Sequence, residues 1–213
     1  MDVRRRTILW DVGGVLLSNG WDHLARGRAV RTFDLEGDDF EARHQRVVEA
    51  FECGRIGLND YLDRTVFWKE RRFSRGDFRD FMLSQSEAQP AALDLASRVA
   101  RLGRARMVTA NNESLELNRY RISSFGLDEI FESFFSSCYL GVRKPDSRFF
   151  SAVGGILGKD LEGCVFIDDR EENVSAARSA GLETIHFSGT RQLERELRAL
   201  GVTEDAKGSE EEG

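Results

Sequence analysis

A chain of 213 residues, 40% apolar and 32% charged, can bury a sizeable core, yet it holds no apolar window long enough for a membrane span, and Asp11 and Gly13 break the run after Arg4-Arg5-Arg6 too early for a secretory leader. Of the formal net charge of −6, Glu204, Asp205, Glu210, Glu211 and Glu212 against the single Lys207 carry −4, so the rest is near neutral and leaves no electrostatic footprint for nucleic acid. The three scattered cysteines, Cys53, Cys138 and Cys164, have no zinc or redox spacing and fit a reducing cytoplasm.

Thr7 to Trp10 reads as a short buried strand that stops at Asp11 and the pair Gly13-Gly14, which places a carboxylate at a strand's carboxyl end. Ser18-Asn19-Gly20 reads as a loop, and helical patterning follows from Trp21 to Ser86. Phe40, His44, Val47 and Phe51 form one stripe of an amphipathic helix, and Glu52-Cys53-Gly54-Arg55-Ile56-Gly57 breaks the rhythm before Leu62, Val66 and Lys69 resume it. Phe78, Phe81 and Met82 supply another apolar face. Pro90 suits the first turn of a helix that runs to Leu102, with Gly103 as its C-cap.

Strands and helices then alternate. Strands are expected at Ala105–Ala110, Phe134–Tyr139, Cys164–Ile167 and Leu182–Phe187. Helices are expected at Glu113–Phe125, at Ser147–Leu157, across Val174, Ala177 and Gly181, and across Leu193, Leu197 and Leu200. Such alternation predicts an α/β fold, a Rossmann-like parallel sheet with helices on both faces. Residues 1–17 and 88–202 are expected to form this core and residues 18–87 an all-helical insertion. Residues 203–213 read as a disordered acidic tail.

In a parallel sheet the carboxyl ends of all strands meet in one crevice. Asp11, Thr109, Asn111, Lys144, Asp168 and Asp169 are all expected there. Three ionised carboxylates in one place need cations, and a hard divalent ion held by oxygen ligands keeps them all charged, so magnesium is the expected metal. Lys144 would add a compact positive charge, and Thr109 and Asn111 hydrogen bonds to a phosphate. Each residue has an ordinary alternative, Asp169 with Glu172 as a helix N-cap and capping box among them.

The order Asp11, Thr109, Arg143-Lys144-Pro145, Asp168-Asp169 resembles the four motifs of the haloacid dehalogenase superfamily, over about residues 7 to 200. The helical insertion then looks like the small cap domain of the subfamily whose cap lies between the first and second motifs. The resemblance implies a magnesium-dependent phosphohydrolase. In it Asp11 is the nucleophile that becomes an aspartyl-phosphate, and Thr109 and Lys144 steady the phosphoryl group. Asp169 ligates the metal with Asp11 and the Gly13 carbonyl, and Asp168 orients it. Gly13 stands where most phosphatases of the family carry a second aspartate as general acid and base. Some members with glycine there resemble sugar-phosphate phosphatases, so a small phosphorylated metabolite is the expected partner, with no nucleic acid and no membrane; oligomeric state is not legible. His23, Glu52 and Arg55 are the candidates to contact the leaving group. A metal-independent 2-haloacid dehalogenase, a receiver module and a catalytically weak phospholigand-binding protein are the alternatives.

Overall fold

The structure, a computed structural model, describes residues 5–158 and 160–204. Its sheet has five parallel strands, β1 (Arg6–Trp10), β2 (Ala105–Asn111), β3 (Ser133–Ser136), β4 (Val165–Asp168) and β5 (Glu183–His186), in the spatial order β3-β2-β1-β4-β5. The chain steps outward from β1 to β3 and returns to the other side of β1 for β4. That reversal opens a crevice beyond the carboxyl ends of the central strands.

Both faces of the sheet are apolar because both are covered. Ile8, Trp10, Met107, Val165 and Ile167 meet Leu95, Val99, Leu193 and Leu197 on one side, and Leu9, Val108, Ala110 and Phe166 meet Phe149, Phe150, Val153 and Ala177 on the other. The four helices supplying those residues are those the periodicity predicts. Gly103, in the left-handed region, ends the one that opens at Pro90.

Between β1 and that helix lie α1 (His23–Phe33), α2 (Gly37–Glu52), α3 (Leu58–Thr65) and α4 (Arg75–Ser84). They pack on a separate apolar cluster that includes Trp21, Phe40, Val47, Phe51, Tyr61, Phe78 and Met82. Phe40, His44, Val47 and Phe51 are the buried face of α2, as their spacing requires. Side-chain caps fix two helix starts, Asp22 accepting from the Ala25 N–H at 2.8 Å and Ser74 with Asp77 forming a capping box. The chain enters and leaves this bundle through two adjacent crossings. Ser18 N–H donates to the Glu87 carbonyl at 2.8 Å, and Glu87 N–H donates back to the Ser18 hydroxyl at 2.9 Å.

Several expectations need correcting. The strand expected at Phe134–Tyr139 ends at Ser136, and a four-residue helix, Ser137–Leu140, follows. Ser137 Oγ turns inward there, accepting from Glu113 N–H at 3.0 Å and donating to the Glu52 carbonyl at 2.6 Å. The helix expected from Glu113 begins at Leu115, because the Glu113 carboxylate accepts from the next backbone N–H instead. Lys69 lies beyond α3. Thr203, placed in the tail by its sequence, is buried, and its carbonyl accepts from Arg104 at 3.1 Å. The remaining tail residues, 205–213, lie outside the described residues. No helix among the described residues is long and apolar enough to cross a membrane.

Candidate active site

The pairing of β1 with β4 runs one residue past Trp10, where Asp11 N–H donates to the Ile167 carbonyl at 2.9 Å. Asp11 thus sits at the end of the central strand. The turn beyond it needs glycine at position 14, where φ is +80° and a Cβ would stand 2.2 Å from Asp169 Oδ2. Asp11 Oδ1 accepts from Val12 N–H at 2.8 Å and lies 3.1 Å from Lys144 Nζ.

Lys144 is buried to 1% exposure and donates to Asp168 Oδ2 at 2.5 Å and to the Ala110 carbonyl at 2.7 Å. Asn112 holds its backbone from both sides, donating to the Lys144 carbonyl and accepting from its N–H, each at 2.9 Å. Asp168 spends its other oxygen on Arg170 N–H at 2.9 Å and Asn173 Nδ2 at 3.0 Å. Arg170, rather than Asp169, is therefore the N-cap of the following helix. Asp169 Oδ1 is buried and makes no hydrogen bond. Asp11, Asp168 and Asp169 each offer an oxygen, all within 4.8 Å of one another.

These groups reset one another's charge. Burial, followed by repulsion from Asp168 and Asp169, lifts the Asp11 carboxyl to about 7 against the pull of Lys144. Burial opposes the charge on Lys144, but Asp11 and Asp168 outweigh it and hold the ammonium above its ordinary value. Burial and the neighbouring Asp168 also raise Asp169. The cluster thus has an unmet demand for positive charge.

A cavity of about 290 Å³ opens onto Asp11 and Lys144 beneath the helical bundle. Gly13, His23 and Glu52 line it. Glu52 is ion-paired with Arg143 at 2.7 Å, and burial raises its carboxyl despite that partner. Gly13 is not in the left-handed region, and a Cβ there would meet Asn19 Oδ1 at 3.4 Å and Arg121 Nη1 at 3.6 Å.

Thr109, Asn111 and Arg55 do not line the cavity, and Asp168 and Asp169 stand behind Asp11 and Lys144 rather than in its lining. Register places Thr109 beside Trp10, one step short of Asp11, and successive strand residues face opposite ways, so Ala110 is the neighbour of Asp11. The buried Thr109 hydroxyl has no hydrogen-bond partner. Asn111 is taken up by Asn118 at 3.1 Å and Ser136 at 2.9 Å. Arg55 is exposed, 3.3 Å from both Glu49 and the Gly141 carbonyl. Three lining residues that the motifs do not reveal are Asn112, Glu113 and Arg121. For Arg121 the sole trace is its alignment with buried Leu117 on one helix face.

The profile of haloacid dehalogenase-like hydrolases matches residues 5–181. The chain belongs to this family. It is 33% identical to the sesquiterpene phosphatase astK of Aspergillus oryzae, across 90% of this chain and 84% of that one. It is 41% identical over 68 residues to flavin mononucleotide hydrolase 1 of Arabidopsis thaliana, but that match spans 32% of this chain and only 28% of the relative. A haloacid dehalogenase family enzyme of Bacteroides thetaiotaomicron, solved with magnesium and inorganic phosphate, superimposes with a TM-score of 0.69 at 19% identity over 85% of this chain and 93% of that one.

His44 gives this haloacid dehalogenase-like fold an acid sensitivity. Burial, with Arg26 nearby, holds its imidazole at about 4, against 6.5 for the free side chain. Between those values the unfolded chain binds a proton that the folded chain refuses, so stability falls as pH drops from about 6.5 toward 4. Urea denaturation at pH 7 and pH 5 is expected to show a larger loss for the wild type than for His44→Gln.

Proposed function

We propose that this chain is a magnesium-dependent phosphohydrolase that cleaves a small phosphorylated metabolite through an aspartyl-phosphate on Asp11. The observation that carries this reading is the partnerless, buried Asp169 oxygen beside Asp11 and a fully engaged Asp168. A metal-free dehalogenase has no use for such an oxygen, whereas a hard cation does. The residues fit magnesium: Asp11, Asp169 and the Gly13 carbonyl would hold it, and Asp168 would orient the site through Lys144. When bound, the ion would neutralise charge on the phosphoryl oxygens and leave Asp11 free to attack.

Asp11 attacks phosphorus in line with the departing alcohol, and water then cleaves the aspartyl-phosphate. Lys144, locked by Asp168 and Ala110, meets the phosphoryl charge. With Gly13 supplying no proton and Ala110 no hydroxyl beside Asp11, Glu52 is the proton carrier best placed in the cavity and His23 the second candidate. A sugar phosphate is the first substrate type to screen. The free thiols of Cys53, Cys138 and Cys164 suit a reducing compartment such as the cytoplasm.

Chelation is expected to abolish phosphate release from a panel of phosphorylated metabolites. Asp169→Ala should raise the magnesium concentration needed for half-maximal rate at least about tenfold, as loss of a charged ligand does. Undiminished hydrolysis in chelator would overturn the reading in favour of metal-independent chemistry.

A further inference from the structure

The cap side of the cavity is lined by a ring nitrogen, His44 Nε2, that has no hydrogen-bond partner among the described residues. His44 lines the cavity at 4% exposure, and its one hydrogen bond among the described residues joins Nδ1 and Tyr61 Oη, at 2.9 Å. Tyr61 is fully buried, and its hydroxyl oxygen also accepts from Trp21 Nε1–H at 2.8 Å. Indole N–H is a donor only, so the Tyr61 proton must go elsewhere: His44 Nδ1 lies 2.9 Å away, whereas the Thr65 hydroxyl nearby spends its own proton on the Tyr61 carbonyl at 2.7 Å. A buried hydroxyl left undonated would cost free energy. Nδ1 is therefore the acceptor. The proton of the neutral ring resides on Nε2, which bonds to nothing among the described residues.

The groups packed around His44 keep the ring uncharged. Arg26 is gripped by Glu41 at 2.8 and 2.9 Å and donates to the Trp21 carbonyl at 2.9 Å, and Arg143 is held by Glu52 at 2.7 Å. Tyr61, from α3, stays protonated because burial raises its hydroxyl. The result is an N–H donor without a charge, beside the apolar surfaces of Trp21, Val48 and Phe51. Asp11 and Lys144, 3.1 Å apart, line the same cavity.

We infer that His44 is a specificity-determining residue whose Nε2–H holds an uncharged acceptor oxygen, a hydroxyl or carbonyl, on the leaving group of the phosphate ester. This rests on the phosphohydrolase reading and narrows its substrate class to esters of polyhydroxy or carbonyl-bearing alcohols. It also places selectivity on the buried face of α2, whereas Arg55, a sequence candidate for contact with the leaving group, lies outside the cavity.

The test pairs glycerol 1-phosphate with propyl phosphate, which differ only in two hydroxyls, at saturating magnesium. The wild type should favour glycerol 1-phosphate in kcat/KM. His44→Phe should reduce that preference about three- to tenfold, the worth of one neutral hydrogen bond, by lowering kcat/KM for glycerol 1-phosphate more than for propyl phosphate. His44→Gln keeps an N–H near the same point and should retain most of the preference. Thermal melting of both variants guards against misfolding.

A second measurement needs no turnover. In histidine-labelled Asp11→Ala protein, 15N spectra should show His44 as the Nε2–H tautomer from pH 8 to pH 5, and its shift should move with millimolar glycerol 1-phosphate and not with propyl phosphate. An Nδ1–H tautomer, no shift with glycerol 1-phosphate, or an unchanged preference in a folded His44→Phe protein would overturn the assignment. Failure of the wild type to hydrolyse either ester would instead count against the phosphohydrolase reading, and the spectra would still decide the role of His44.

Discussion

Asp11→Asn should lower phosphate-ester hydrolysis by about 10⁴-fold or more, because it removes the carboxylate that the fold places just past the end of its central strand and in the cavity. The amide keeps the shape and loses the nucleophile. Lys144 retains Asp168 and the Ala110 carbonyl, so the local scaffold survives. Stability should move in the opposite direction to activity. The folded-state value of Asp11, about 7, is raised above the ordinary 3.8, so between these the folded state binds more protons than the unfolded state. Its contribution to stability is lost as pH rises through that window, and at pH 8 without metal the neutral variant should melt no lower than the wild type. Acid-quenched mass spectrometry should show a phosphoryl adduct on the wild type during turnover and none on Asp11→Asn. Because an asparagine here can deamidate back to aspartate, Asp11→Ala is the control. Wild-type rates in that variant would exclude Asp11 as the nucleophile.

Asp11, Lys144 and Asp168-Asp169 are legible in the sequence because each follows an apolar run or precedes a helix, and parallel strands bring such ends together. Thr109 shows the limit of that logic. Thr109 closes the apolar run Met107-Val108 inside a strand expected to end at Ala110, but β2 continues to Asn111 and its register sets Thr109 beside Trp10, where a shift of one residue exchanges the two faces. The residue beside Asp11 is consequently Ala110. His44 lies in an apolar stripe and reads as core, which it is; its second role depends on a proton held by Trp21 and Tyr61, 23 and 17 positions away. Arg121 is still less visible, since Ser18 lies 103 residues before it and Ser86 lies 35 before it.

Arg121→Met should destabilise the protein by about 3–5 kcal/mol, the usual cost of leaving one charge of a buried pair unmatched. Arg121 is 2% exposed and its Nη1 lies 3.1 Å from Glu113 Oε2, itself 7% exposed. The guanidinium also donates to Ser86 Oγ at 3.0 Å and to the Ser18 carbonyl at 3.3 Å, one group on each crossing between sheet and helical bundle. Even the loop beside it is shaped around this charge: at Gly20, where φ is +62°, a Cβ would lie 1.8 Å from Arg121 Nη2. The melting temperature should fall by on the order of 10 °C. Replacing both charges, with Arg121→Met and Glu113→Gln together, should recover at least half of the loss, because the uncompensated carboxylate is then gone. The double variant should nonetheless turn over more slowly than the wild type, since the two crossings would no longer be tied to one side chain and the bundle would close less well over Asp11. A single-variant loss under about 1 kcal/mol, no larger than that of the exposed Arg79→Ala, would show that the crossings hold by their backbone bonds alone.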